Sequence, residues 1–418
     1  MISRTSLWVV SLCAGLLPAA TCLAVEDAGL AAALQATLSQ HPAVRGKEAE
    51  VQAKGFAGDS ARAQRLPSIS GQAGQQQNDS QPTSFVRARQ PLWAFGRIDS
   101  NIAYADADKV LEEADLLRVK RQLLEQAAVA YAKVQGAQER LLIARENVQS
   151  LDALHQRVQR RADGMLAAEV DVNLSQARLI QARAYQSRFA SEVAVANEEL
   201  LSLTQTPVTV DASVPQVANQ LPEDAELLAK AQEQNADALI KTQQIALAEA
   251  GVEREKTSNM PTLYLQNEYY ISQPEFFNGD RNQIGLVLEA NVEGLGFAAL
   301  GRSRAAESRL QAANDDLQST RNDISRTVKS LISNRQLQAQ LIEDQGLSVK
   351  ALAGILASYK RQYEAGQKAW LDVLNMQREY SDQLQQQAQA QNEWLTYSLK
   401  LAAMTGTLDP LASGMKDE

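Results

Sequence analysis

Cysteine is almost absent from this chain. Of its 418 residues only Cys13 and Cys22 carry a thiol, and both fall within the N-terminal stretch. Once that stretch is removed, no disulfide or thiol chemistry remains, and stability must come from packing and assembly. Histidine is equally scarce. His41 and His155 stand far apart without a Cys or His neighbour, so each reads as a helix-surface or capping residue and no metal site is expected. Cationic excess is missing too: the net charge is -9 and the pI about 5.1, which argues against nucleic acid, whose binding rests on neutralised phosphates. Hydrophobic residues make up 45% of the chain, but much of that is alanine, and the mean hydropathy is -0.30. Beyond the N-terminus no apolar run reaches the roughly 20 residues of a spanning helix. A membrane crossing would have to be made of strands. No nucleophile with its base and no phosphate loop is present, and Gly294-Leu295-Gly296 lacks the dinucleotide spacing, so neither an enzyme nor a cofactor is expected.

The N-terminus reads as a secretory signal over residues 1–24. Arg4 supplies the charge, Leu7 to Leu17 a short apolar core, and Cys22-Leu23-Ala24 a small-residue cleavage site before Val25. Cys22 raises lipidation, but Thr21 is a poor residue before a lipidated cysteine and the expected leucine is missing. That question stays open.

What the chain does have is a repeat. Leu66-Pro67-Ser68 recurs as Met260-Pro261-Thr262, Phe95-Gly96-Arg97 as Leu300-Gly301-Arg302, Asp171-Val172 as Asp372-Val373, and Thr204-Gln205-Thr206 as Thr405-Gly406-Thr407. The offsets stay at about 200 residues, so two copies run in register. The first copy spans 25–204 with a hairpin at 66–94, and the second 223–408 with a hairpin at 260–296. A proline-marked linker, 205–222, joins them, and 409–418 form a tail.

Each copy begins with an opening helix, from about Leu30 to Ala63 or from Glu223 to Lys256, and contains one very long helix. From Gly96 to Ala162 there is no proline and one interior glycine, Gly136, while Leu116, Leu117, Leu123, Leu124, Ala127, Tyr131 and Val134 recur at spacings of three and four. At 1.5 Å per residue that predicts a rod of roughly 100 Å. The second rod is expected from about Arg302 to Glu364. Such helices need lateral partners, as in a coiled coil. Each is predicted to end in a left-handed cap at Gly164 or Gly366 and to reverse into a return helix, Glu169–Leu203 or Trp370–Met404.

The hairpins carry strand alternation. Ile284, Leu286, Leu288, Ala290 and Val292 share one parity and Gln283, Gly285, Glu289, Asn291 and Glu293 the other, with Val287 out of place. Leu263, Leu265, Tyr269 and Ile271 oppose Tyr264, Gln266, Glu268 and Tyr270. Gln75-Gln76-Gln77-Asn78 reads as a solvated tip, and the second hairpin has the longer loop, around Pro274 to Asp280. These hairpins suit either a small sheet packed on helices or a bilayer; in the second case four strands cannot close, so copies must combine.

The duplicated order, the Gly-Arg helix starts and the turn Tyr363-Glu364-Ala365-Gly366-Gln367-Lys368-Ala369-Trp370-Leu371-Asp372-Val373-Leu374-Asn375 together resemble the TolC family of outer-membrane channels. The resemblance implies a mainly α fold with a β-barrel part: a homotrimer with one 12-stranded barrel in outer-membrane lipid and a periplasmic tunnel of coiled-coil helices. It implies a passive export channel, for type I protein secretion or drug efflux, that works with a periplasmic adaptor and an inner-membrane ABC or proton-driven transporter. The weak lipidation signal tilts toward secretion. In that frame Asp372 and Asn375 would line the periplasmic gate, the asparagine leaving three carboxylates in a trimer in place of six. Tyr363 and Lys368, with Val170 and Asp171, would link neighbouring helix pairs; lysine in place of the family's arginine lacks the bidentate fork. The turns at Gly164, Met165, Leu166, Gly366 and Gln367 would dock the adaptor. Arg157, Arg160 and Arg161, with Lys360 and Arg361, suit helix C-termini electrostatically and could also serve docking. The rival reading is a periplasmic coiled-coil adaptor or scaffold that forms no channel.

Overall fold

A computed structural model describes residues 28–74, 83–272 and 280–413. The signal segment, the Gln75–Asn78 tip, most of the Pro274–Asp280 loop and the end of the tail lie outside them. In chain order, α1 (Ala28–Gln40), α2 (Pro42–Ala63), β1 (Ser68–Gly74) and β2 (Thr83–Trp93) lead into the rod α3 (Arg97–Asp163) and the return helix α4 (Glu169–Thr204). The second half runs α5 (Gln216–Asn219), α6 (Asp224–Gln234), α7 (Ala236–Thr257), β3 (Thr262–Ser272), β4 (Asn282–Glu289), a 3-10 turn (Glu293–Gly296), the rod α8 (Phe297–Glu364), α9 (Trp370–Met404) and α10 (Asp409–Ser413).

Three expectations change. Each opening helix is two helices. In the first copy His41 breaks it: the His41 Nδ1 accepts from the Ala43 N–H at 3.2 Å and Pro42 takes the first helical position, where its missing N–H costs nothing. In the second copy Asn235 does the same, its Oδ1 accepting from Asp237 N–H at 2.9 Å. The second rod starts five residues before Arg302. Its true counterpart to Phe95-Gly96 is Leu295-Gly296, where φ is 48° and 87° in the first copy and 55° and 90° in the second. Gly301, paired with Gly96 by local similarity, sits inside α8. The linker contains the short helix α5.

The two largest apolar clusters on the rods lie at mid-height and near the turns. At mid-height Tyr131, Leu124 and Val134 of α3 pack with Leu30 and Leu34 of α1, Leu399 and Ala402 of α9, and Leu408 and Ala412 beside and within α10. Tyr131 also receives the Asp211 N–H at 2.9 Å, tying the linker to the rod. Near the turns Leu151, Leu154 and Val158 of α3 meet Val172 and Leu179 of α4, Leu356 and Tyr363 of α8, and Trp370 and Val373 of α9. Burial is lopsided: α3 buries 18 of its 67 residues, α8 six of its 68. Packing pairs α3 with α4 and α8 with α9 and joins the pairs through α3 and α9, which leaves α4 and α8 at the flanks.

Candidate functional site

Two places combine exposure with specific chemistry: the sheet and the far end of the rods. The four strands are antiparallel in the order β1-β2-β3-β4. Register puts Val86 opposite Tyr269, Leu265 opposite Leu286 and Leu263 opposite Leu288, so the apolar parities of both hairpins fall on one face. That face is open: Ile69 is 78% exposed, Ile284 68% and Leu286 66%. Its polar members include Gln90, Asn267 and Asn282, and the Asn267 Oδ1 is buried without a partner. Ala290 and Val292 lie beyond the end of β4.

The opposite face is polar and bonded to itself. Arg87 pairs with Glu268. Arg89 donates to Gln266 Oε1 at 2.7 Å and to Glu289 Oε2 at 3.0 Å, and Arg97 to Thr262 Oγ1 at 2.7 Å. Val287 sits on this face, opposite Tyr264. A sheet in water hides its oily face; this one leaves it open.

At the far end both rods close with the same Schellman pattern. Met165 N–H donates to Ala162 C=O at 2.9 Å and Leu166 N–H to Arg161 C=O at 2.7 Å; Gly366 N–H donates to Tyr363 C=O at 3.0 Å and Gln367 N–H to Gln362 C=O at 2.9 Å. The left-handed position is therefore Met165 (φ 57°) in the first turn and Gly366 (φ 74°) in the second. Gly164 is not the left-handed cap; with φ -85° it matches Ala365. The helix ends at Asp163, and the hydrogen-bond register then assigns the strained conformation to whatever residue stands two places on. Met165→Gly should accordingly stabilise the protein by about 1 kcal/mol and Gly366→Ala destabilise it by about as much, read from urea midpoints.

Asp372 opens α9, half exposed, with Lys368 Nζ 3.6 Å from its Oδ2. Asn375 lies one turn further along, lining a groove with Arg178 and Tyr185 of α4. The Lys368 Nζ stands 4.5 Å from the centre of the Tyr359 ring. Tyr363 is buried, with the Arg161 guanidinium 5.0 Å from its ring centre and donating to its carbonyl at 3.4 Å. Within this single chain neither Tyr363 nor Lys368 bonds to Val170 or Asp171; Val170 is 72% exposed. The two rods are clasped by other groups. Arg157 pairs with Glu364 at 2.7 Å, and one turn on, Arg161 holds Tyr363. Lys360 Nζ donates to Gln377 Oε1 at 3.2 Å, and Gln377 Nε2 to Asn147 Oδ1 at 3.3 Å, joining α8, α9 and α3. Burial, then the Arg157 charge, push the Lys360 ammonium below its usual range. The four-residue spacing of Arg157 and Arg161 marks a shared helix face in the sequence; nothing there marks Glu364 as their target.

The family model described as "Outer membrane efflux protein" matches residues 33–205 and 227–407, one stretch in each copy. The chain belongs to the outer membrane efflux protein family. Among solved structures the chain superposes on the outer-membrane channel OprN with a TM-score of 0.74 at 21% identity, covering 91% of this chain and 90% of that one. MtrE of Neisseria gonorrhoeae, in its open state, gives 0.74 at 16% identity, with 90% and 89% covered. VceC of Vibrio cholerae gives 0.73 at 15%, with 93% and 97% covered. No curated protein matches significantly in sequence. The chain thus shares the fold of the TolC-like channels, a helical tunnel with a barrel part, and is an outer-membrane protein extending into the periplasm. Among the described residues no helix is long and apolar enough to cross a membrane.

Proposed function

We propose that three copies close into one passive export channel, with twelve strands forming a barrel in outer-membrane lipid and the rods forming a periplasmic tunnel. The inverted sheet carries this reading: its apolar face is exposed, its arginines are paired on the other face, and β1 and β4 leave one open edge each. Four strands are too few for a membrane barrel, whereas twelve exceed the minimum of about eight. The helices repeat the argument. Ile180 and Val195 stand exposed on α4 and Leu337 and Leu347 on α8, at the two flanks that a ring would bring together. At the junction of sheet and rods Trp93 stacks on Phe95 at 4.3 Å and Phe297 is exposed, an aromatic belt suited to a membrane boundary.

In this channel Asp372 and Asn375 narrow the periplasmic entrance, Tyr363, Lys368, Val170 and Asp171 lie where neighbouring helix pairs meet, and the turns Gly164 to Leu166 and Gly366-Gln367 receive the helical tip of an adaptor. Met165, 94% exposed, and Leu166, 71% exposed, give that tip an apolar surface. An inner-membrane ABC or proton-driven transporter supplies the work, and the cargo is a secreted protein or a small toxic compound. Outer-membrane fractions should hold the mature protein as a trimer; recovery as a soluble periplasmic monomer would instead favour a coiled-coil adaptor. Within the trimer, Asp372→Ala should raise single-channel conductance and weaken block by divalent cations, because three crowded carboxylates repel one another and attract cations. Unchanged conductance and block would remove Asp372 from the gate.

A further inference from the structure

At mid-height of α3 an open-sided cavity of about 760 Å³ lies between α3, α8, α9 and the linker. Gln135, Glu139 and Leu142 reach it from one face of α3, by their spacing of four and then three. Gln135 is only 9% exposed; its Nε2 donates to the Ser213 carbonyl at 2.9 Å, which leaves its Oε1 buried without a partner. The Oδ1 of Asn392 on α9 is buried without a partner as well. Asn392 comes so close only because position 136 is glycine, where a Cβ would stand 2.4 Å from the Asn392 Cγ. Glu139 stands at the mouth. The surrounding wall pushes its carboxyl up by desolvation, and no cation among the described residues pairs with it. The rest of the wall is apolar at Leu142, Val214, Ile342, Trp394 and Leu395 and carries the amides of Gln138 and Gln391.

Buried acceptors left without donors are costly, and few survive in folded proteins without an occupant or a task. Here two buried acceptors and the Glu139 carboxylate line one cavity, and neither buried acceptor bonds to the donor amides of Gln138 and Gln391 that also line it. Their complement is a group with donors only, and the ammonium of an amine is such a group. The apolar walls ask for a hydrocarbon or ring system behind it. We propose that this cavity binds a small lipophilic amine, its ammonium between Gln135 Oε1, Asn392 Oδ1 and Glu139 and its apolar body against Leu142, Ile342 and Leu395. The site is remote from the turns, does not depend on the gate, and adds ligand recognition to what is otherwise a passive wall.

Dansylcadaverine, a fluorescent apolar ring on a primary amine, is a suitable probe for the full-length protein held in amphipol. Fluorescence anisotropy should show one saturable site per chain. Glu139→Gln should weaken binding about tenfold, since it replaces a charge-assisted hydrogen bond by a neutral one. N-acetyl dansylcadaverine, which lacks the ammonium, should bind as weakly to the wild type. Ala339→Trp should fill the cavity and abolish binding, while Glu139→Gln tests the charge without altering shape. Absence of saturable binding to the assembled wild type, as when a side chain of a second copy fills the cavity, overturns the proposal. So does equal affinity for the acetylated probe, or for the Glu139→Gln protein.

Discussion

Leu286→Arg should remove the protein from the outer membrane. Leu286 lies mid-strand in β4 opposite Leu265, on the apolar face, and is 66% exposed. Were that face wet, exchanging an exposed leucine for arginine would change stability by no more than about 0.5 kcal/mol. Facing lipid, an arginine near the midplane costs about 2–4 kcal/mol, and three copies in one barrel multiply it threefold. The dimensions agree with that setting: β3 has 11 residues, and at about 3.3 Å each and a tilt near 45° it covers roughly 25 Å, the height of the apolar band of such barrels. Gln283→Arg is the matched control, because Gln283 sits on the polar face opposite Glu268, which can receive the new charge. Heat-modifiable trimer on gels of outer-membrane fractions should be lost for Leu286→Arg and kept for Gln283→Arg.

The second large effect concerns the clasp at the far end. Arg157→Glu sets two carboxylates against each other where Arg157 and Glu364 now pair at 2.7 Å. Both side chains are about half exposed, so one pair is worth only about 0.2–1 kcal/mol, and reversal adds a repulsion of similar size. In the proposed trimer, three chains moving together would change the balance by three times that amount. A shift near 1 kcal/mol per chain sums to about 3 kcal/mol, on the order of a hundredfold in the ratio of open to closed entrances. The expected results are severalfold higher conductance and sensitivity to large antibiotics that the outer membrane normally excludes. Glu364→Arg in the same chain restores the pair in reversed order and should restore the closed state. Persistence of the leak in the double variant would show that Arg157 acts through something other than Glu364.

Periodicity made the architecture legible. The period-two parity of Leu263 to Ile271 and of Ile284 to Leu288 is visible in the sequence because each face of a strand meets one environment, and register then joins the faces. The long helices were legible from the missing prolines. Local similarity misled where backbone conformation decides. Leu300-Gly301-Arg302 looks like Phe95-Gly96-Arg97, but the elbow after each strand needs two consecutive left-handed residues, which Leu295-Gly296 supply. Glycine's freedom likewise pointed to Gly164, whereas the end of α3 fixes the strained residue as Met165. The break at His41-Pro42 was written in the sequence as a proline at a first helical position. The clasp of Arg157 on Glu364 was not, since residues 207 apart meet only once both rods have formed and packed.

The most direct test of the account is electrical. Purified mature protein reconstituted in planar lipid bilayers should insert in discrete conductance steps, each from a particle of three chains, with Arg157→Glu steps larger and Leu286→Arg protein failing to insert. Protein that stays monomeric in solution and adds no conductance to the bilayer would contradict it.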